Sequence, residues 1–143
     1  MRSIITFALL LFFCGMPAQV IHNDVFWDSA DGTPIYSQGG GVFKFTDPET
    51  GRMAYFWYGS RFHEAERYRN DPSVTLDRNT IVGVSLYKST DLVHWKDMGL
   101  VLTDRDIKGG RPWAGWFARM GVAFIEETGQ YALFSQHNNY VNI

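Results

Sequence analysis

Gly41-Val42-Phe43-Lys44-Phe45 is followed by Thr50-Gly51 and then Tyr55-Phe56-Trp57; the same order returns as Gly121-Val122-Ala123-Phe124-Ile125, Thr128-Gly129 and Tyr131-Ala132-Leu133-Phe134. The alternation of Val42, Phe43, Lys44 and Phe45 is that of a half-buried strand. Thr46-Asp47-Pro48-Glu49-Thr50-Gly51 is turn chemistry, because Pro fixes φ and Gly supplies a positive one. An aromatic strand follows in each copy. Self-similarity at a wide period, with several strands per unit, is how the blades of a β-propeller look in sequence. The expected fold class is therefore all-β, a β-propeller.

Working outward, Met53 to Tyr58 reads as a strand ended by Gly59, and Ser60 to Asn79 as a polar, charge-rich connection. Ile81 to Tyr87 returns to strand, with a weaker strand near Gly99 to Leu102. No stretch carries a convincing helical stripe. Gly109-Gly110-Arg111-Pro112 reads as the loop between the two units, and the chain reaches Asn142-Ile143 just after an aromatic strand. A propeller ring closes with about four blades or more. The expectation is one and a half to two blades, with residues 20–143 the N-terminal part of a larger propeller domain.

The chain has 143 residues, of which 16% are aromatic, including 5 Trp, 7 Tyr and 11 Phe. Flat rings fit a pleated, half-buried surface. They also serve as platforms for the C–H face of a sugar ring, although a core position is the ordinary role of any one of them. Net charge is −2, with 13 basic and 15 acidic residues spread along the chain. That excludes the basic stripe of a nucleic-acid binder and favours a neutral partner. Met1-Arg2-Ser3 and the apolar run Ile4 to Phe13 read as an export signal over residues 1–19. The run is too short for a stable membrane span. Cys14 is the one cysteine, so the expected mature fold has no disulfide. A lipid on Cys14 is the alternative to a cleaved signal, with Phe13 too bulky for a good lipidation site. The expected location is periplasmic, extracellular or cell-surface.

Ser89-Thr90-Asp91-Leu92-Val93-His94-Trp95 follows a strand and forms a turn in which Ser and Asp bind the local backbone while Trp anchors it. The form S-x-D-L-x-x-W resembles a blade motif of glycoside hydrolase family 43. Phe26-Trp27, Asp31-Gly32-x-Pro34-Ile35, Gln38-Gly39-Gly40-Gly41 and Tyr55-Phe56-Trp57-Tyr58-Gly59 are similar to that family's first blade, nearest to its exo-β-1,3-galactanase-like branch. The likeness runs from about Asn23 to His137. It implies a five-bladed propeller in the full-length family and hydrolysis of O-glycosidic bonds in plant-type polysaccharide, in galactan, arabinan or xylan side chains. The sequence departs from the branch at Gln38, where a histidine is usual, and at Ser60 and Ala118, where carboxylates are usual. These departures put galactan specificity in doubt. They also admit a second reading, a non-catalytic glycan-binding propeller.

An inverting glycosidase needs an acid and a base roughly 6.5–9.5 Å apart. The resemblance places the general acid, a Glu of a middle blade, beyond Ile143. It places the base near the start of the first blade, where Asp24 and Asp31 are the candidates ahead of Asp28; Asp31 can equally be a turn former. The innermost strand of each blade lines a propeller's central pocket, which nominates Gln38, Trp116 and Arg119 for substrate binding. Arg119 sits beside an apolar strand where an unpaired charge is costly, so bracing a neighbouring blade is its other role. Tyr58 and His137 end the second strands of their units and complete the binding set; a structural hydrogen bond is the alternative for His137. No His spacing points to a metal, and no cofactor is expected. The family's propellers can hold a calcium in the central channel, but this sequence does not show its ligands.

Overall fold

The alternating run at Val42–Phe45 lies inside strand β1 (Gln38–Thr46), which pairs antiparallel with β2 (Met53–Phe62). A computed structural model describes residues 20–77, 80–108, 117–137 and 140–142. The hairpin between β1 and β2 is tied by Asp47, a buried carboxylate that accepts from the Glu49 amide (3.1 Å), Thr50 Oγ1 (2.9 Å) and Lys88 Nζ (3.2 Å). Burial alone would raise its pKa; these bonds outweigh burial and lower it. β3 (Ile81–Ser89) and β4 (Lys96–Thr103) complete a four-stranded meander in the order β1-β2-β3-β4. β5 (Phe117–Ile125), β6 (Gln130–His137) and β7 (Tyr140–Asn142) form a second antiparallel sheet in the order β5-β6-β7. The fold class is all-β, and the two sheets are successive blade-like units.

The strands are longer than their apolar runs. β2 continues through Gly59 to Phe62 because Gly59, Ser60 and Arg61 keep pairing with Ser85, Val84 and Gly83. The glycine run Gly39-Gly40-Gly41 belongs to β1 itself. Two short helices interrupt the connections, α1 (Ala65–Asn70) and α2 (Asp104–Lys108). Six and five residues are too few to show a periodic stripe, and α1 buries none of its residues, so sequence patterning has nothing to register there.

Alternation gives each strand of the first sheet two faces with different neighbours. One carries Phe62, Ile81 and Val84 against Phe117 and Met120 of the second sheet, with Tyr58, Leu102, Ile107 and Leu133 packed around them. This is the joint between the units. The other face carries Trp57, which meets Trp27, Tyr87 and Trp95 edge-on or tilted at 5.8, 6.0 and 5.3 Å between ring centres. Trp95 is 2% exposed, and its Nε1 donates to the Leu92 carbonyl at 3.1 Å. The Ala30 amide donates to the Trp95 carbonyl at 2.7 Å, which lays residues 26–30 across this aromatic layer.

Candidate functional site

Both inner strands begin with the same irregularity. In β1 the pairing passes from Gln38↔Ser60 to Gly41↔Tyr58, so Gly39 and Gly40 together oppose Gly59. In β5 it passes from Ala118↔Gln136 to Gly121↔Phe134, so Arg119 and Met120 together oppose Ser135. Each is a β-bulge, a device that re-aims side chains at the rim of a sheet. The bulges touch. A Cβ on Gly39 would lie 2.6 Å from Ala118 Cβ and 3.5 Å from the Arg119 nitrogen. Gly40 is equally constrained, since a Cβ there would sit 1.6 Å from the Tyr58 carbonyl. The glycine run exists to let two strands meet.

That junction brings Gln38 and Arg119 to the same end of the two units. Both are exposed. Arg119 has φ +55, and its Nη1 donates to Gln136 Oε1 at 3.2 Å. Its exposure removes the expectation that a buried strand surrounds it; the burial belongs to Ala118 and Met120 on either side. His137 ends β6 opposite Phe117, beside Gln136, and burial lowers its pKa, which keeps the ring neutral at pH 7. Tyr58 is not brought there. It lies inside β2, its ring packs on Phe43 at 6.2 Å and on the joint, and burial raises its pKa. Trp116 lies outside the described residues.

A cavity of about 750 Å³ opens beside Gln38, between the start of β1, the end of β2 and α1. Trp27, Tyr36, Trp57 and Tyr68 line it together with Arg69. Arg69 clips α1 to the N-terminal segment: Nη2 meets Asp28 at 2.7 Å, and Nη1 donates to the Trp27 carbonyl at 3.0 Å. This engages Asp28 structurally. Sequence reasoning missed the cavity because α1 carried no signal, although Tyr68 and Arg69 were visible within the polar connection.

The carboxylates at the N-terminal end behave differently from one another. Asp31 accepts from Ser29 Oγ, Thr33 Oγ1 (2.9 Å) and the Thr33 amide (3.2 Å), and these bonds, Ser29 foremost, lower its pKa. It is held as a turn former. Asp24 is exposed with φ +58 and precedes Val25, which lines the cavity. The two positions where the resemblance leads one to expect carboxylates have other duties here. Ser60 is 1% exposed and its hydroxyl donates to the Phe117 carbonyl across the joint. Ala118 is 3% exposed and packs against Gly39. Among the described residues no three His, Cys, Asp or Glu converge. Gln38, Ala118, Arg119, Gln136 and His137 bring a cation and no carboxylate to the junction, which does not fit a calcium there.

Two antiparallel meanders whose inner strands run side by side define a piece of a β-propeller. In the solved structures, the chain is similar to the crystal structure of an exo-β-1,3-galactanase from Clostridium thermocellum, with a TM-score of 0.58 and 26% sequence identity over 82% of this chain. It spans 21% of that protein's chain. No family model matches the chain, and no curated protein does. The structural neighbour is thus a glycoside hydrolase, and the likeness takes in both units.

Proposed function

We propose that the chain is part of an exported glycoside hydrolase that cleaves O-glycosidic bonds in plant-type polysaccharide, with galactan, arabinan or xylan side chains as the substrates. The observation that carries the reading is the likeness to a galactanase across 82% of this chain. The site is the junction of the two bulges, where Gln38 and Arg119 supply hydrogen-bond donors that match sugar hydroxyls. His137, neutral and at the end of β6, adds a further donor or acceptor. Trp27 and Trp57 in the neighbouring cavity offer apolar surface to the rest of the glycan.

The reaction needs a protonated carboxyl group to assist departure of the leaving oxygen and a carboxylate to activate water, by inversion. The carboxyl groups here with displaced pKa values, Asp31, Asp47, Glu64, Asp71, Asp91 and Asp106, are all lowered, the opposite of what a general acid requires. None of these six suits the role of the general acid. For the base Asp24 is favoured over Asp31, whose Oδ1 accepts from Ser29 Oγ, Thr33 Oγ1 and the Thr33 amide.

A second reading, a non-catalytic glycan-binding propeller, is favoured by Ser60 and Ala118, which fill the usual carboxylate positions with a hydrogen bond and a packing contact. Incubating the protein at its natural length with β-1,3-galactan, arabinan and arabinoxylan separates the two. The hydrolase reading expects release of sugar whose first-formed anomer is inverted, seen by NMR. Binding without cleavage supports the second reading. Neither binding nor cleavage of any of the three overturns both.

A further inference from the structure

The twin bulges differ in one respect that the fold does not require. Gly39 takes the left-handed conformation in β1 with φ +59; its counterpart in β5 is Arg119 with φ +55. Glycine enters that region without steric conflict, whereas a side chain brings its Cβ against the backbone. Among the described residues two other non-glycines share a positive φ, and each has a local reason. Asp24 is a residue type that tolerates it. Leu92 sits in a turn whose amides are held by Ser89 and Asp91, with the Leu92 amide itself donating to Ser89 Oγ at 2.9 Å. Arg119 is neither a tolerant type nor part of such a turn. The β1 bulge demonstrates that glycine satisfies the same geometry one blade away.

We infer that Arg119 is kept in a strained backbone conformation to present its guanidinium to a glycan, and that Gln136 is the positioning residue that holds it. The bulge re-aims the side chain at the strand start, beside Gln38 and the Cβ-less Gly39. Gln136, paired with Ala118 across the ladder, anchors Nη1 through its Oε1 at 3.2 Å and so restricts the rotation of a flexible arm. A planar fork so held can span two neighbouring hydroxyl oxygens of one sugar, which a lysine ammonium cannot copy. Strained backbone clusters at ligand sites because function, not stability, maintains it. This rests on the glycan reading above.

The test uses the natural-length protein, calorimetric titration with galacto-, arabino- and xylo-oligosaccharides, and thermal melting. Arg119→Gly is expected to raise Tm by roughly 2–4 °C, as relief of a single strained residue does in a chain of this size or larger, while weakening the best-bound oligosaccharide at least tenfold. Arg119→Lys keeps the strain and the charge and loses the fork, so Tm stays and affinity falls by a similar factor. Gln136→Ala is expected to weaken binding with Tm unchanged. If the parent binds and Arg119→Gly binds equally well, the inference is overturned while the glycan reading stands. If Arg119→Gly lowers Tm, the arginine serves the fold and the inference is overturned on that side. A parent that binds none of the sugars overturns the glycan reading, and this inference with it.

Discussion

Single residues in this chain are best understood by counting what their polar atoms already hold. Asp91 is the fullest example: it accepts from the Val93 and His94 amides at 2.9 and 2.8 Å, from Ser89 Oγ at 3.0 Å, and pairs with His94 Nδ1 at 2.8 Å. The His94 contact is the largest of these effects, and together they place the carboxyl far below its usual range. A carboxyl lowered on folding stabilises the native state above its unfolded pKa, near 4, and that contribution is lost as pH falls toward the folded value. Asp91→Asn is therefore expected to cost about 1–2 kcal/mol at pH 7, with the gap to the parent narrowing steadily below about pH 4. Urea unfolding at a series of pH values reads this directly; a gap that does not change with pH would contradict it. The turn was legible in the sequence because Ser, Asp and Trp each have a known local habit. The left-handed φ of Arg119 was not, because nothing in Trp116-Phe117-Ala118-Arg119 announces a bulge. Only comparison with Gly39, once pairing is known, exposes it.

At the scale of elements, the repeat that decides the fold is a repeat of hairpins, and the structure adds how the two copies meet. Ser60 is central to that meeting. Its buried hydroxyl bridges β2 to the first residue of β5, close to the contact of Gly39 with Ala118. Ser60→Ala removes this bond and is expected to cost about 1–3 kcal/mol in denaturant unfolding. Ser60→Glu puts a carboxyl in the joint against a carbonyl, where an unpaired charge is costly; it is expected to destabilise more than Ser60→Ala. Equal or greater stability of the glutamate variant would mean that the joint has room and a partner for a carboxylate. Strand cores such as Val42–Phe45 and Ile81–Tyr87 were legible from alternation and aromatic content. Strand ends were not, since Gly59 reads as a breaker and Ser60-Arg61 as a polar connection while in fact they continue the ladder. Tyr58 was expected at a strand end for the same reason and instead lies within β2.

For the whole molecule, the all-β class and the two-unit layout followed from spacing that is independent of any one motif. The candidate site was legible only in part. Gln38, Arg119 and His137 converge on one end of the two sheets, while the aromatic cavity depends on a helix too short to leave a pattern and on residues 26–36 folding back over β2. The glycan is proposed to sit where the two inner-strand bulges meet. Amide chemical-shift mapping of the natural-length protein during titration with galacto-, arabino- and xylo-oligosaccharides tests it most directly. The largest shifts are predicted at Gln38–Gly40, Ala118–Met120 and Gln136–His137, saturating together with one affinity. Shifts confined to β4 and the Ser89–Trp95 turn, or no shift with any of the sugars, would contradict it.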